Sequence, residues 1–219
     1  MNLITLTGAD EATDIAALVD LVSNPVVEVG LLYSASPEGR NRYPSLPWLM
    51  DAAQALRGRC AIHICGGIAR HQLLAGELSQ LVQLAGRVQV NGRMAEDVAF
   101  KCAALVPHLI TQHFTFTEHL ATLAITNHSV LVDGSGGRGI SPERWIRPAV
   151  SPGKAVGFAG GLGPDNLAEQ MQMIAAASAG HECTTWIDME GKLRDANDRF
   201  DLARARRCVE IFTESLQVV

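Results

Sequence analysis

Asp133 closes an apolar run, and four glycines follow it within six residues in the stretch VLVDGSGGRG (Val130–Gly139). A second glycine cluster, FAGGLGPDN, runs from Phe158 to Asn166. An acid at the end of a buried strand suits proton transfer if its surroundings tune it. Glycines between a strand and a helix let a ligand approach the backbone, and exposed N–H groups there hold anions. The backbone around Gly136, Gly137, Gly139, Gly160 and Gly161 is therefore the expected phosphate cradle. The competing reading is two tight turns that need glycine for geometry. Neither cluster has the GxGxxG spacing of a dinucleotide fingerprint.

Further polar residues stand at the ends of apolar runs. They are Thr7, Tyr33, His63, Asn91, Gln112 or His113, Gly160 and Asp188. A polar ring at one end of otherwise apolar strands is hard to explain by packing, because buried polar groups cost free energy unless paired. His63, His113, Asp133, Asp188 and Glu190 are also types that ring a divalent metal, although strand histidines are more often hydrogen-bonded core residues. The remaining histidines near element boundaries (His108, His119, His128) and Trp48, Trp145 and Trp186 read as structural, and Glu28 sits within a strand.

The elements that must position these groups alternate along the chain. Strands are expected at Leu3–Thr7, Val26–Tyr33, Cys60–Cys65, Arg87–Asn91, His108–Phe114, Ser129–Asp133, Lys154–Ala159 and Thr184–Met189. Helices are expected at Glu11–Val22, Leu46–Leu56, Arg70–Ala85, Ala95–Leu105, Thr117–Ala124, Pro142–Ile146, Asp165–Ala177 and Asp201–Leu216. Asp10 or Ala9 could start the first helix, and Ser45 precedes Leu46 and Pro47 as an N-cap does. Eight strand–helix units predict a (β/α)8 TIM barrel of the phosphate-binding type, one domain over residues 1–219. A doubly wound open sheet is the competing architecture. In such barrels chemistry sits at the carboxyl ends of the strands, and phosphate often binds after strands seven and eight. Here the glycines follow strands six and seven, a shift of one unit.

Composition narrows the partners. Of 219 residues, 47% are hydrophobic and 19% charged, an ordinary globular balance. A net charge of -5 argues against nucleic acid as the main partner. MNLITLTGAD lacks the basic start of an export signal, and no apolar run is long enough to span a bilayer. The five cysteines have no zinc or redox spacing, which predicts free thiols in the cytoplasm. No cofactor is expected, and the oligomeric state is open.

The motifs together resemble the phosphoribosylanthranilate isomerase family, tryptophan-biosynthesis enzymes that perform an Amadori rearrangement in a (β/α)8 barrel. That family reads roughly K-I-C-G at strand one, S-P-R-Y after strand two, Q-L-H-G at strand four, L-L-D at strand six, then G-G-T-G and L-A-G-G-L-x-P-x-N. This chain has TLTG (Thr5–Gly8), GRNRYPS (Gly39–Ser45), VQVNG (Val88–Gly92), VLVDGSGGRG and FAGGLGPDN in the same order. The resemblance implies that Asp133 protonates the furanose ring oxygen and that Arg42 pairs with the substrate carboxylate, as a guanidinium fork suits. It implies that the glycine loops hold the phosphate.

The departures are specific. Thr7 stands where the family has its general-base cysteine, and Asn91 where it has a histidine. Cys65 in HICGG falls on strand three, where a small packed thiol is the plainer reading. The eighth strand reads WIDMEGKLRD in place of an acid followed by Ser-Gly, and only Gly134 and Ser135 separate the acid from the glycine loop. The expectation is an isomerase, of the intramolecular oxidoreductase type, acting on a phosphorylated sugar. Asp133 and position 7 carry its chemistry, and Arg42, His63, Asn91 and Asp188 meet the substrate. The alternatives are a metal-dependent pentose-phosphate epimerase and a non-catalytic sugar-phosphate-binding protein.

Overall fold

The computed structural model describes residues 1–219 except 37–40, 115–118, 134, 137, 182 and 218–219, and the side chains of His119 and Gln217. Eight strands follow each other: β1 (Leu3–Thr7), β2 (Val27–Ser34), β3 (Cys60–Cys65), β4 (Arg87–Val90), β5 (Leu109–His113), β6 (His128–Val132), β7 (Val156–Ala159) and β8 (Thr185–Met189). Each pairs in parallel with the next, and β1 pairs with β8, so the sheet closes in sequence order. The chain is a (β/α)8-type barrel, and the open-sheet alternative is excluded by that closure.

Period-two alternation gives each strand two buried faces. Ile4, Leu6, Val29, Leu31, Ile62, Ile64, Val88 and Val90 pack outward in the main core. The opposite residues fill the barrel. Glu28 of β2 accepts from Arg87 Nε of β4 at 2.9 Å, past β3, which places both inside. Thr5 Oγ1 donates to the same carboxylate at 2.9 Å, and the guanidinium lies 4.6 Å from the Trp186 ring centroid. The barrel floor is thus a paired ion sealed by an aromatic face, which meets the cost of burying either charge alone. Ile110 and Leu131 join Trp186 in a second apolar cluster.

The helices are α1 (Ile15–Ser23), α2 (Leu46–Leu56), α3 (Gly67–Leu74), α4 (Ser79–Gln83), α5 (Glu96–Leu105), α6 (Leu167–Ser178) and α7 (Leu202–Gln217). Three expectations change here. The helix predicted over Arg70–Ala85 is two, α3 and α4, broken by a turn at Gly76 whose carbonyl accepts from Ser79 Oγ at 2.6 Å. The first helix begins at Ile15 with Asp14 as its cap, accepting from Ala16 N at 3.0 Å. Asp10 is instead buried in an ion pair with Arg194 at 3.0 Å.

The third change matters for the site. After β5 the described residues form only a 3₁₀ turn, His119–Thr122, where the sequence predicts a helix over Thr117–Ala124 (117 and 118 lie outside the described residues), and Pro142–Ile146 is not helical. Pro142, Pro148 and Pro152 punctuate that stretch and leave no room for a continuous helical face. Trp145 covers the barrel there. Its ring meets Phe158 edge-on at 5.7 Å, and its Nε1 donates to Gln170 Oε1 of α6 at 2.8 Å. Beneath the same loops, Lys154 Nζ lies 2.6 Å from His128 Nδ1, and Thr111 Oγ1 links His128 Nε2 at 2.8 Å to His113 Nε2 at 2.9 Å. His113 therefore faces outward from β5, and Gln112 is the residue that faces the barrel mouth. Among the described residues no helix is long and apolar enough to cross a membrane.

Candidate active site

The carboxyl ends of the strands enclose a cavity of about 360 Å³. Its walls include Thr7, Arg42, His63, Asn91, Asp133 and Asp188, so one space gathers candidates from six separate places in the chain. Gly139, Gly160 and Gly161 line it too. Gly136 does not; the direction a side chain would take there leads to the Phe114 ring. Gly137 lies outside the described residues. Tyr33 is also not in the wall, and its hydroxyl donates to Gln72 Oε1 at 2.8 Å.

One side of the cavity belongs to Asp133, the residue after β6. It is 4% exposed. Its Oδ1 accepts from Ser135 N at 3.1 Å and Ser135 Oγ at 2.6 Å, and its Oδ2 accepts from Gln112 Nε2 at 3.0 Å. Gln112 Oε1 in turn accepts from Gly92 N at 3.1 Å. The carboxyl plane is fixed by β5, the β4 loop and its own loop.

Beside it lie the two glycine loops, locked together. Gly161 has φ +60, and a side chain there would press on Ser141 N and, at 2.8 Å, on Gly139 O. Its carbonyl accepts from Ser141 Oγ at 3.1 Å and from Asn166 Nδ2 at 3.0 Å, just before α6. Gly160 approaches the acid, with Asp133 Oδ1 3.5 Å from where its Cβ would lie. Among the described residues, no backbone carbonyl is bonded by the N–H of Gly160 or Gly161. Arg138, between two glycines of GGRG, also lines the cavity and is anchored by its Nε to Ser135 O at 2.7 Å. Bare amides and a guanidinium beside glycines form an anion-binding surface.

The opposite side is built on β1, β3, β4 and β8. Thr7 Oγ1 donates to Asp188 Oδ1 at 2.7 Å. Across the barrel, His63 Nε2 stands 3.7 Å from Asp188 Oδ2, beyond a hydrogen bond. Burial pushes the Asp188 carboxyl up to about 7, against the pull of the Thr7 hydroxyl and Arg87, with Glu28 and Asp133 adding to the rise. Burial likewise holds His63 down to about 4, so its ring is neutral at neutral pH. Gln89 Nε2 approaches His63 Nδ1 at 3.3 Å and donates to Asn91 Oδ1 at 2.7 Å. Asn91 Nδ2 reaches Cys65 Sγ at 3.3 Å, and burial raises that thiol to about 12. Cys65 is thus a packed thiol, as its strand position suggested.

Arg42 reaches the rim already engaged. Its Nη1 lies 2.6 Å from Glu190 Oε1 and its Nη2 2.8 Å from Asp198 Oδ1. The metal ring considered from sequence does not assemble: His113 faces outward, and no three His, Cys, Asp or Glu side chains among the described residues gather to hold an ion. Ser135, Gln89, Arg138 and Glu190's grip on Arg42 were missed as site features. Arg138 alone carried a signal, a cation between two glycines.

This geometry can be set beside known proteins. No family profile matches the chain, and no curated protein matches it by sequence. Solved structures do resemble it. The TrpF of Jonesia denitrificans superposes with a TM-score of 0.67 at 17% identity, over 96% of each chain. The phosphoribosyl anthranilate isomerase of Thermus thermophilus gives 0.66 at 15% identity, over 97% of this chain and 98% of that one. A phosphoribosyl anthranilate isomerase in complex with reduced 1-(o-carboxyphenylamino)-1-deoxyribulose 5-phosphate gives 0.59 at 12% identity, over 98% and 100%. Those values establish a shared fold along the whole chain.

Proposed function

We propose that the protein isomerises a phosphorylated sugar amine by an Amadori rearrangement; phosphoribosyl anthranilate isomerases are among its structural neighbours. The observation that carries this reading is the placement of Asp133 in one wall with the Gly160–Gly161 amides, at the end of a barrel. A sugar phosphate anchored on those amides and on Arg138 brings its furanose ring against the acid. Asp133 gives a proton to the ring oxygen, the C1–O bond breaks, and the amine lone pair forms an iminium at C1. Removal of the C2 proton then yields an enol amine, which becomes the amino ketose when C1 takes up a proton and the C2 hydroxyl gives one up. Such positioning with one acid contributes about 10²–10⁴-fold.

The neighbour crystallised with a reduced deoxyribulose 5-phosphate supports the substrate class, a phosphorylated five-carbon sugar bearing an amine. The experiment is direct: phosphoribosylanthranilate turnover by the unmutated chain and by Asp133→Asn. Turnover that Asp133→Asn lowers by about 10²-fold or more supports the reading. No turnover by the unmutated chain, with sugar phosphate still bound, points to the non-catalytic binding protein instead.

A further inference from the structure

The reading above leaves the C2 proton without a taker, and Thr7 cannot take it. Its hydroxyl proton is committed to Asp188 Oδ1 at 2.7 Å, and a neutral hydroxyl is a poor base. Cys65 is held as a thiol outside the cavity wall. Glu190 stands at the rim beside Arg42, its side chain about one-third exposed, rather than within the barrel mouth.

We infer that Asp188 is the base that removes the C2 proton, aimed by the Thr7 hydroxyl, with His63 Nε2 as hydrogen-bond donor to the C2 oxygen. The inference rests on the isomerase reading and deepens it. Three observations carry it. Asp188 lines the cavity yet is only 5% exposed, so its carboxylate is poorly solvated and reactive. Thr7 fixes Oδ1, while Oδ2 takes no hydrogen bond among the described residues. His63 Nε2 is buried without a hydrogen-bond partner and faces that oxygen from 3.7 Å. With Gln89 Nε2 donating to Nδ1, the ring proton sits on Nε2, aimed into the gap. A buried donor left unpaired beside a half-free carboxylate is costly, and a substrate hydroxyl answers both.

The step balances within the substrate. The Asp188 carboxylate takes the C2 proton, the C2–H electron pair becomes the C1–C2 double bond, and the iminium π pair returns to nitrogen. Protonated Asp188 then returns its proton to C1 while the C2 hydroxyl gives its proton to solvent, from which the Asp133 carboxylate is reprotonated, so C2 is oxidised to the ketone as C1 is reduced, with no external oxidant. A neutral imidazole with a depressed pKa can donate to the C2 hydroxyl oxygen and hold the C2–H bond towards Asp188 without giving its proton away.

The charged groups around Asp188 are Glu28 of β2, Arg87 of β4, Asp133 after β6, Glu190 on its own loop and neutral His63. The test uses the full chain, phosphoribosylanthranilate, and pH from 5.5 to 9. In the unmutated protein kcat/KM should fall as pH drops through about 7, where the base takes up a proton. Asp188→Asn should lose about 10²–10⁴-fold in kcat with KM nearly unchanged. Thr7→Val, which removes the hydrogen bond stabilising the carboxylate, should move the acid limb to higher pH, and Thr7→Ser should restore it. Asp188→Asn activity within fivefold of the unmutated protein overturns this inference alone; absence of turnover in the unmutated chain overturns the isomerase reading with it. Should Asp188→Asn lose inorganic phosphate binding through misfolding, the Thr7→Val profile decides: an unmoved acid limb overturns the inference.

Discussion

Arg42 Nη1 sits 2.6 Å from Glu190 Oε1, so the guanidinium that would clasp an aromatic carboxylate already holds one of the protein's own. Asp198 takes its other nitrogen at 2.8 Å. A carboxylate substrate must displace Glu190, whereas an uncharged amine substituent need not. Both side chains are about one-third exposed, so the pair is worth about 1 kcal/mol. Glu190→Gln should therefore lower KM for phosphoribosylanthranilate by about fivefold. An unchanged or higher KM, read from initial rates, would show that Arg42 does not meet the substrate carboxylate.

The glycine cradle makes a separate forecast. A methyl group at position 161 would strike Ser141 N and stand 2.8 Å from Gly139 O, at a backbone φ of +60 that alanine adopts poorly. Gly161→Ala should weaken inorganic phosphate binding by about tenfold or more, since one charged hydrogen bond contributes about 1.5–3 kcal/mol. Gly67→Ala, with nothing within 4 Å of its added methyl, is the control. Calorimetric titration with phosphate distinguishes them, and equal affinities would remove the loops from the site.

Asp188 also shapes stability against pH. Its folded carboxyl titrates near 7, whereas an unfolded aspartate titrates near about 3.9. Below both values the acid is neutral in either state and costs nothing. As pH rises through that window the native state binds more protons than the unfolded one, so stability is lost, most fully above 7. Asp188→Asn should thus raise the melting temperature by several degrees at pH 8 relative to its effect at pH 4. Equal effects at the two pH values would mean that the carboxyl is not desolvated.

Trp145 stands in for a missing helix. Truncation to alanine removes the edge contact with Phe158 and the bond to Gln170, in a residue only 4% exposed. Urea unfolding of Trp145→Ala should show a loss of about 3–5 kcal/mol. A loss under about 1 kcal/mol would mean the loop collapses to fill the space.

The barrel was legible because each strand announces itself locally: short β-branched or apolar runs such as CAIHIC and VLV appear where β3 and β6 form. The polar strand ends were legible for the same reason, and Thr7, His63, Asn91, Asp133 and Asp188 do meet in one cavity. Two kinds of feature were hidden. Helix existence after β5 and β6 depends on tertiary packing, which lets Trp145 substitute for a helical face. Side-chain engagement depends on residues far apart in sequence: Arg42 reads as a free cation until Glu190 and Asp198 close on it. His113 and Gln112 show the limit of register, since a strand end named to within one residue leaves the inward side chain undecided.

Gly30 faces Thr7 across the β1–β2 register, and any Cβ there would overlap the Thr7 hydroxyl. Positions 7 and 30 are therefore sterically coupled. A side chain at 30 takes the space of the hydroxyl at 7, so gaining one costs the tether on Asp188. The glycine at 30 is thus what leaves room for a hydroxyl at the mouth of β1.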